Sequence, residues 1–571
     1  MTRDDTRACQ AAERQECLDA VLNSPARKKL VIGGPGTGKT FLFGQLLERN
    51  ANGNNLAMTF IRRLVDDMAP ELSEWAEVKT FHAFCKKTLH SRVGHVDLVP
   101  YLTEIISRDS ELLEKGFGNF DCKIRMLEES SPEVAFYLKR GDYYGAVGFD
   151  DSVYRVLKHL RADPSILPSF DQIVIDEFQD FNPLEVAFIE ELAKKGPILI
   201  VGDDDQAIYE GRSASAKHLR SVYMSGLFEV FDLPFCSRCP EVIINATHSI
   251  VSRAQARGYL HGRINKRYEC FLGAKEADSI KYPRIVRAQC STGRVIPKYI
   301  EKEILKIDDE DVADSYAEGK TYPTVLIVGH RQYLREVAKQ LRGRYPHLLY
   351  SPSERTEYGI NDAYEILLGD DSANLGWRIL LELFCTPEQQ KTVLARTEDG
   401  IGLLHLLAPE FLNRHLRVLK IIRAIRNGET LTPSSETGLR EVVGRSFDQL
   451  IQHFAPKKEE AVPEVDETIP SILLTSFVGC KGLSGGHVFI IGANNGSIPK
   501  DPRHIRDIEI SQFVVALTRT RKQCHIVSNK WLIAPVMNGE RQRTYRESCF
   551  VTWVPRDMIE NRGYLKANGL S

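Results

Sequence analysis

The sequence predicts an α/β protein built from two parallel-sheet modules, each interrupted by a mainly helical insertion. Three observations carry this reading. Short runs rich in Val, Ile and Leu recur along the chain, each followed by a polar turn. These runs alternate with helical stretches, the mark of parallel strands covered on both faces. They also fall into two sets, and each set is broken once by a long segment with helical periodicity and no clear strand. Two sets imply two sheets.

The first set is KKLVIGG (28–34), NNLAMTF (54–60), DQIVIDE (171–177), GPILIVGD (196–203) and LFEVFDL (227–233). The second is TVLIVGH (324–330), SILLTSF (471–477), HVFIIGA (487–493) and QCHIVSN (523–529). Between them, YLTEIISRDSELLEKGF and RMLEESSPEVAFYLKR give residues 85–160 a helical character. WRILLELFCTPEQQ and LNRHLRVLKIIRAIRN do the same for 361–455. The stretch APKKEEAVPEVDETIP (455–470) is charged and proline-bearing, which predicts an exposed linker back to the second sheet. The expected division is 1–84 with 161–234 as the first module and 85–160 as its insertion. Residues 235–360 with 471–545 form the second module, 361–470 its insertion and linker, and 546–571 a tail.

Composition narrows the class. At 571 residues, 43% hydrophobic and 27% charged, the chain has the make-up of an ordinary globular protein. It has no apolar run of the ~18 residues that a membrane span needs. Its start, MTRDDTRACQ, lacks an apolar signal core, so a cytoplasmic location without membrane contact is expected. Twelve scattered cysteines fit reduced thiols there, and the close pair Cys236 and Cys239 lacks the second pair a metal centre would require. A net charge of −2 exerts no global pull on nucleic acid, so any DNA contact must run through a local basic groove.

The chemistry begins at GGPGTGKT, residues 33–40, placed between an apolar strand and a helix-like run. Gly33, Gly34, Pro35, Gly36, Thr37 and Gly38 let the backbone wrap a phosphate with its N–H groups inward, where a Cβ would obstruct. Lys39 supplies a positive charge to the β- and γ-phosphates, and the Thr40 hydroxyl can ligate Mg²⁺. Next, VIDEFQD (174–180) ends a strand in two acids at the sheet edge where the phosphate loop opens. Asp176 suits the Mg²⁺ shell and Glu177 the activation of a water, which is what phosphoryl transfer to water needs. In ILIVGDDDQAIY (198–209), the Gln206 amide can donate to a γ-phosphate and accept from a water at once.

These three motifs, in this order and spacing, resemble motifs I, II and III of the UvrD/Rep/PcrA-type superfamily 1 DNA helicases. The resemblance runs from about residue 10 to 530. ERQECL around Gln15 resembles the Q-motif, whose glutamine reads adenine. AMTFIRRLVDDM (57–68) and KTFHAF (79–84) resemble motifs Ia and Ib. CSRCP (236–240) resembles motif IV through Arg238, the segment 476–492 motif V through Lys481-Gly482-Leu483, and VALTRTRKQ (515–523) motif VI. The resemblance implies two RecA-like domains with ATP and Mg²⁺ at their seam. It places Arg238, Gly482 and Arg519 against the nucleotide, with Arg519 as an arginine finger. It also implies single-stranded or partly duplex DNA across the top, held by Thr59, Phe60, Arg62, Arg63, Thr80, Phe81, His82, Tyr209 and Arg212, and 3′→5′ movement. Phe60 and Phe81 fit a core position equally well. The GIG at 400–402 is similar to a duplex-binding motif of the second insertion.

The sequence departs from the family where bases are gripped. Ser237 stands in place of the motif IV tyrosine, Val478 and Ser484 in place of a histidine and a glutamate of motif V, and Glu210-Gly211-Arg212-Ser213 in place of an aromatic followed by Arg-Gly. The hydrolytic groups are complete while stacking groups, worth ~1–3 kcal/mol per base, are thinned. The leading expectation is an ATP-dependent helicase or translocase. The alternative is a nucleotide-gated, DNA-sensing regulatory ATPase working with a partner nuclease in DNA repair or anti-phage defence.

Overall fold

The computed structural model describes residues 3–59, 62–93, 97–317, 322–351, 358–456, 466–536 and 539–566. Phe60, most of the charged linker (457–465) and the side chains of Arg62 and Arg63 lie outside the described residues.

The first sheet has six parallel strands in the order Glu77–Thr80, Asn55–Thr59, Gln172–Ile175, Ile198–Gly202, Lys28–Gly33, Glu229–Leu233. The central strand Lys28–Gly33 pairs Lys28 with Ile198 on one side and Lys29 with Glu229 on the other. The second sheet runs Leu348–Ser351, Ile472–Thr475, Val325–Val328, Gly485–Ile491, Thr520–Val536, Ile285–Thr292, Ile559–Leu565, all parallel. A single antiparallel strand, Gly539–Thr544, folds back on Thr520–Val536. Every strand of the two apolar sets is present. Both faces of each sheet are covered: Val31, Ala57, Val174 and Leu199 point to one apolar cluster, and Leu30, Leu56, Ile173 and Ile198 to another. Two further clusters flank the second sheet. These are two RecA-like domains, each interrupted by helices, as the sequence predicts.

Glu77–Thr80 and Ile559–Leu565 are sheet edges that the apolar pattern does not mark. Edge strands bury little, and Ile559–Leu565 has no fully buried residue. The first insertion adds a short parallel pair, Asp97–Leu98 with Ala146–Val147, to its helices. The second consists of six α-helices between Ile360 and Phe454 with short 3₁₀ turns.

The two insertions, separate in sequence, share one apolar core. The cluster that begins under the first sheet continues through Ile105, Tyr137 and Leu157 into Tyr364, Trp377, Leu419 and Phe447. At its centre lies a buried ionic group. Asp109 accepts from Arg378 Nε at 2.7 Å and from the Arg140 guanidinium, and Arg140 also reaches Thr397 Oγ1 at 2.7 Å. Asp109 and Arg378 are both fully buried. Removing one member of such a group leaves charge stranded in apolar surroundings. Asp109→Ala should therefore destabilise the protein by about 3–5 kcal/mol, read as a lower midpoint in thermal or urea unfolding.

Candidate active site: a charged cleft between two lobes

The phosphate loop follows directly from its strand. After Gly33 the chain turns through Gly36 (φ +72°) and Gly38 (φ +88°), and the helix Lys39–Glu48 starts at once. A Cβ on Gly36 would stand 2.4 Å from Arg238 Cβ, so the residue must be glycine for steric reasons as well as for its φ. Thr37 Oγ1 donates to Gly34 O at 3.0 Å and closes the turn. The loop thus presents the N-terminal N–H groups of a helix, a ready anion site.

Lys39 Nζ lies 3.3 Å from Glu177 Oε1 and 3.9 Å from Asp176 Oδ1. Glu177 adopts φ +55°, a left-handed conformation that costs a non-glycine residue about 1–2 kcal/mol and turns its carboxylate back toward the loop. The strain is held in place by a network: Glu177 N donates to Asp176 Oδ1 at 2.9 Å, the Gln179 amide donates to Glu177 Oε2, and Gln179 Oε1 accepts from Asp203 N at 3.0 Å. Burial pushes the Asp176 carboxyl up to about 6, against the pull of Lys39. Burial also raises Glu177, but Lys39, Lys481 and Arg519 more than offset it and hold Glu177 ionised, well below the usual carboxylate range.

The second lobe closes on this group. Lys481 pairs with Asp180, lies 3.3 Å from Glu177 Oε2 and donates to Gln206 O at 2.7 Å. Arg519 Nη2 donates to Gln206 Oε1 at 3.1 Å, and Gln206 Nε2 donates to Asp203 Oδ2 at 2.8 Å. Burial and the charge of the neighbouring Arg238 both lower the Arg519 pKa. On the loop's other flank, Ser237 N donates to Gly36 O at 2.8 Å and Tyr268 Oη to Pro35 O at 2.9 Å. Lys266 is buried among Asp203, Asp204 and Asp205, with Arg263 bidentate on Asp205.

The structure therefore gathers Lys39, Thr40, Asp176, Glu177, Gln206, Arg238 and Arg519 at one seam, with Gly482 (φ +78°) beside Lys481. Thr40 and Asp176 offer hydroxyl and carboxylate oxygens, a hard donor set that fits Mg²⁺. Gln15 lies elsewhere: it is exposed and donates to Asp19 Oδ1 at 3.1 Å, while Gln10 makes the cross-lobe bonds, to Cys270 O and from Leu272 N. Gln179, Asp180, Tyr268 and Gln10 complete the seam without having been singled out in the sequence as site groups, and Lys481 was marked only through the Lys481-Gly482-Leu483 match. Gln179 and Asp180 directly follow the two acids, and that adjacency was the available signal.

Of the DNA candidates, Tyr209, Arg212 and His82 come together where the first insertion meets the first sheet. Arg212 Nη2 lies 3.9 Å from Asp150 Oδ1, and Lys481 Nζ sits 5.7 Å from the Tyr209 ring centroid. His82 is buried, packs edge-on to Phe149, and is pushed down to about 4 by burial and Arg212. Thr59 is buried and Thr80 caps the following helix through Ala83 N. Phe81 is fully buried against Phe181 and Phe188, which is the core position rather than a groove. Ile401 of the GIG accepts from Tyr143 of the first insertion through its carbonyl.

The AAA domain family matches residues 18–212. DNA helicase II of Haemophilus influenzae is 26% identical over 289 aligned residues, covering 41% of this chain and 40% of its own length. A probable DNA helicase II homolog of Mycoplasma genitalium is 23% identical over 597, covering 86% and 81%. ATP-dependent DNA helicase UvrD1 of Mycobacterium tuberculosis is 23% identical over 292, covering 40% and 38%. Fold and cleft define a protein of two RecA-like lobes with a phosphate loop at their seam. Within that class the chain is similar to the UvrD/Rep/PcrA-type superfamily 1 helicases. Among the described residues no helix is long and apolar enough to cross a membrane.

Gly36→Ala is expected to abolish nucleotide binding, since the added methyl meets Arg238 and the φ is unfavourable. Titration with an ATP analogue checks this, and a Kd within threefold of wild type would contradict it.

Proposed function

We propose that the protein is an ATP-dependent DNA helicase of the UvrD type that moves 3′→5′ on single-stranded DNA. The observation that carries this is the cross-cleft contact: Lys481 and Arg519 of the second lobe reach Glu177, Asp180 and Gln206 of the first, beside Lys39. A nucleotide at that seam would couple hydrolysis to closure of the lobes. In this reading the lobes comprise 1–84 with 161–234, and 235–360 with 471–545, carrying insertions 85–160 and 361–470; the stretch 546–571, expected as a tail, contributes the strand Ile559–Leu565 to the second sheet.

Each residue has a role that its surroundings support. The phosphate loop and Lys39 bind the triphosphate. Mg²⁺ on Thr40 and Asp176 would neutralise phosphate charge. Glu177, kept ionised by three cations, accepts a proton from the attacking water, and Gln206 orients that water while sensing the γ-phosphate. Arg519 and Arg238 counter the charge that spreads over the transferred phosphoryl group, a contribution commonly worth ~10³–10⁵ in rate. The DNA strand would run over Thr80, Tyr209 and Arg212, where a cation and an aromatic ring combine; Arg62 and Arg63 are candidates from the sequence. A purely regulatory, nuclease-linked role gains nothing from the relatives, which are named as helicases.

Hydrolysis measured with and without single-stranded DNA, followed by displacement of a strand with a 3′ overhang, tests the proposal. Stimulation without displacement would reduce it to a DNA-gated ATPase. Lys39→Ala and Glu177→Gln should each lower turnover at least ~10²-fold with DNA binding still measurable. Arg519→Ala should reduce kcat far more than it weakens nucleotide affinity, and equal losses in both would remove the finger role.

A further inference from the structure

His82, expected from the sequence to meet the strand, is instead 8% exposed and meets two acids from other elements. One ligand atom each from His82, Asp150 and Glu185 lie within 4.8 Å of one another. The three residues sit on three helices at the base of the first insertion: Phe81–Val93, Phe149–Ala162 and Pro183–Leu192. Asp150 is 6% exposed and Glu185 is fully buried.

Ordinary structural roles account for only half of each carboxylate. Glu185 Oε2 accepts from Asn182 N at 2.9 Å and caps its own helix, but Oε1 is buried with no hydrogen bond. Asp150 Oδ2 accepts from Arg125 Nε at 2.8 Å, whereas Oδ1 is likewise buried with no hydrogen bond, Arg212 Nη2 standing 3.9 Å away. Unmatched carboxylate oxygens inside a protein are costly. Charge is also short here: Asp121, Asp150 and Glu185 face Arg125 and Arg212, three acids to two cations. The other converging acids, Asp203, Asp204 and Asp205, are by contrast filled by Lys266 and Arg263.

Zinc bonds to nitrogen and oxygen of about 2.0–2.2 Å set two ligands of one ion roughly 3–4 Å apart, so the three atoms need close by only about 1 Å to share one. An imidazole with two carboxylates suits a divalent transition metal, whereas Mg²⁺ and Ca²⁺ take oxygen ligands. Burial, more than the neighbouring Arg212, keeps the imidazole neutral, the form that ligates. We infer that His82, Asp150 and Glu185 hold one divalent transition-metal ion, which pins the last helix of the first insertion to the first lobe beside Arg212.

The test uses the metal-free full chain without nucleotide. Co²⁺ should give a saturable visible absorption at one ion per chain, and Zn²⁺ should displace it. Glu185→Gln keeps an oxygen for Asn182 N while removing the charge, and His82→Gln removes the ring. Each should weaken Zn²⁺ binding at least tenfold in calorimetry, with the circular dichroism of the metal-free chain unchanged. Should either variant misfold, Asp150→Asn is read in its place with the same expectation. Asp176→Asn at the phosphate loop should leave the Co²⁺ signal intact, which separates this site from the groups assigned to Mg²⁺. Absence of saturable Co²⁺ and Zn²⁺ binding in the wild type would mean that a proton on Glu185 settles the charge, and would overturn the inference. Zn²⁺ affinity within threefold of wild type in a folded Glu185→Gln or His82→Gln, or loss of the signal in Asp176→Asn, overturns it equally.

Discussion

One buried carboxylate, Glu177, is held by lysines from both lobes: Lys39 from the phosphate loop and Lys481 from across the cleft, each 3.3 Å away. In a buried site such charges are poorly screened, so the lobes sit where the charge count balances. Asp176, Glu177 and Asp180 face Lys39, Lys481 and Arg519, so acidic and basic groups are close to balanced at the seam without a ligand. In the proposed function, a triphosphate entering the loop would bring several negative charges and draw Lys39 from the acids. Asp176 and Glu177 would then be free for a cation and a water. Binding would so rearrange the network that holds the lobes together, as a chemically driven hinge requires.

The insertions extend that coupling outward. They arise from different lobes, yet their helices bury one continuous core around Asp109, Arg140 and Arg378. A buried ionic group is weak evidence for stability but strict about geometry, because its members must stay matched. Relative displacement of the lobes therefore reaches the insertions through packed helices and not through a loose tether. The Tyr209, Arg212 and His82 group sits where this core meets the first sheet, next to Lys481 of the seam. The strand-binding candidates and the candidate active site are thus separated by very few side chains.

Much of this was legible in the sequence because it is local. The strands Lys28–Gly33, Gln172–Ile175 and Gly485–Ile491 are continuous apolar runs, and the phosphate loop and VIDEFQD write their chemistry in consecutive residues. Glu77–Thr80 and Ile559–Leu565 were not legible, because an edge strand can be polar or exposed. The union of the insertions was hidden for a different reason: it depends on how helices carrying residues 269 positions apart dock. Gln15 shows the limit of motif position: five residues along the helix, and so about 140° around it from Gln10, it faces solvent while Gln10 crosses to the second lobe.

Arg519 supplies the strongest physical argument that the seam is built for an anion. It is 2% exposed, and its hydrogen bonds go to Val515 O, Leu483 O, Gln206 Oε1 and Thr518 Oγ1, all neutral oxygens. Among the described residues no carboxylate pairs with it within 4.0 Å, and the charge of Arg238 presses on it. Burying a guanidinium costs several kcal/mol, which neutral acceptors repay only in part. Lys266, by contrast, is buried among three aspartates, so the fold does neutralise a buried cation where the cation serves structure. The one acid whose charge reaches it, Glu177, is already shared with Lys39 and Lys481, so Arg519 is incompletely neutralised in the free protein, and a negatively charged group beside it would compensate that cost. A phosphate suspended from the loop at Lys39 has the charge and the oxygen geometry to do so.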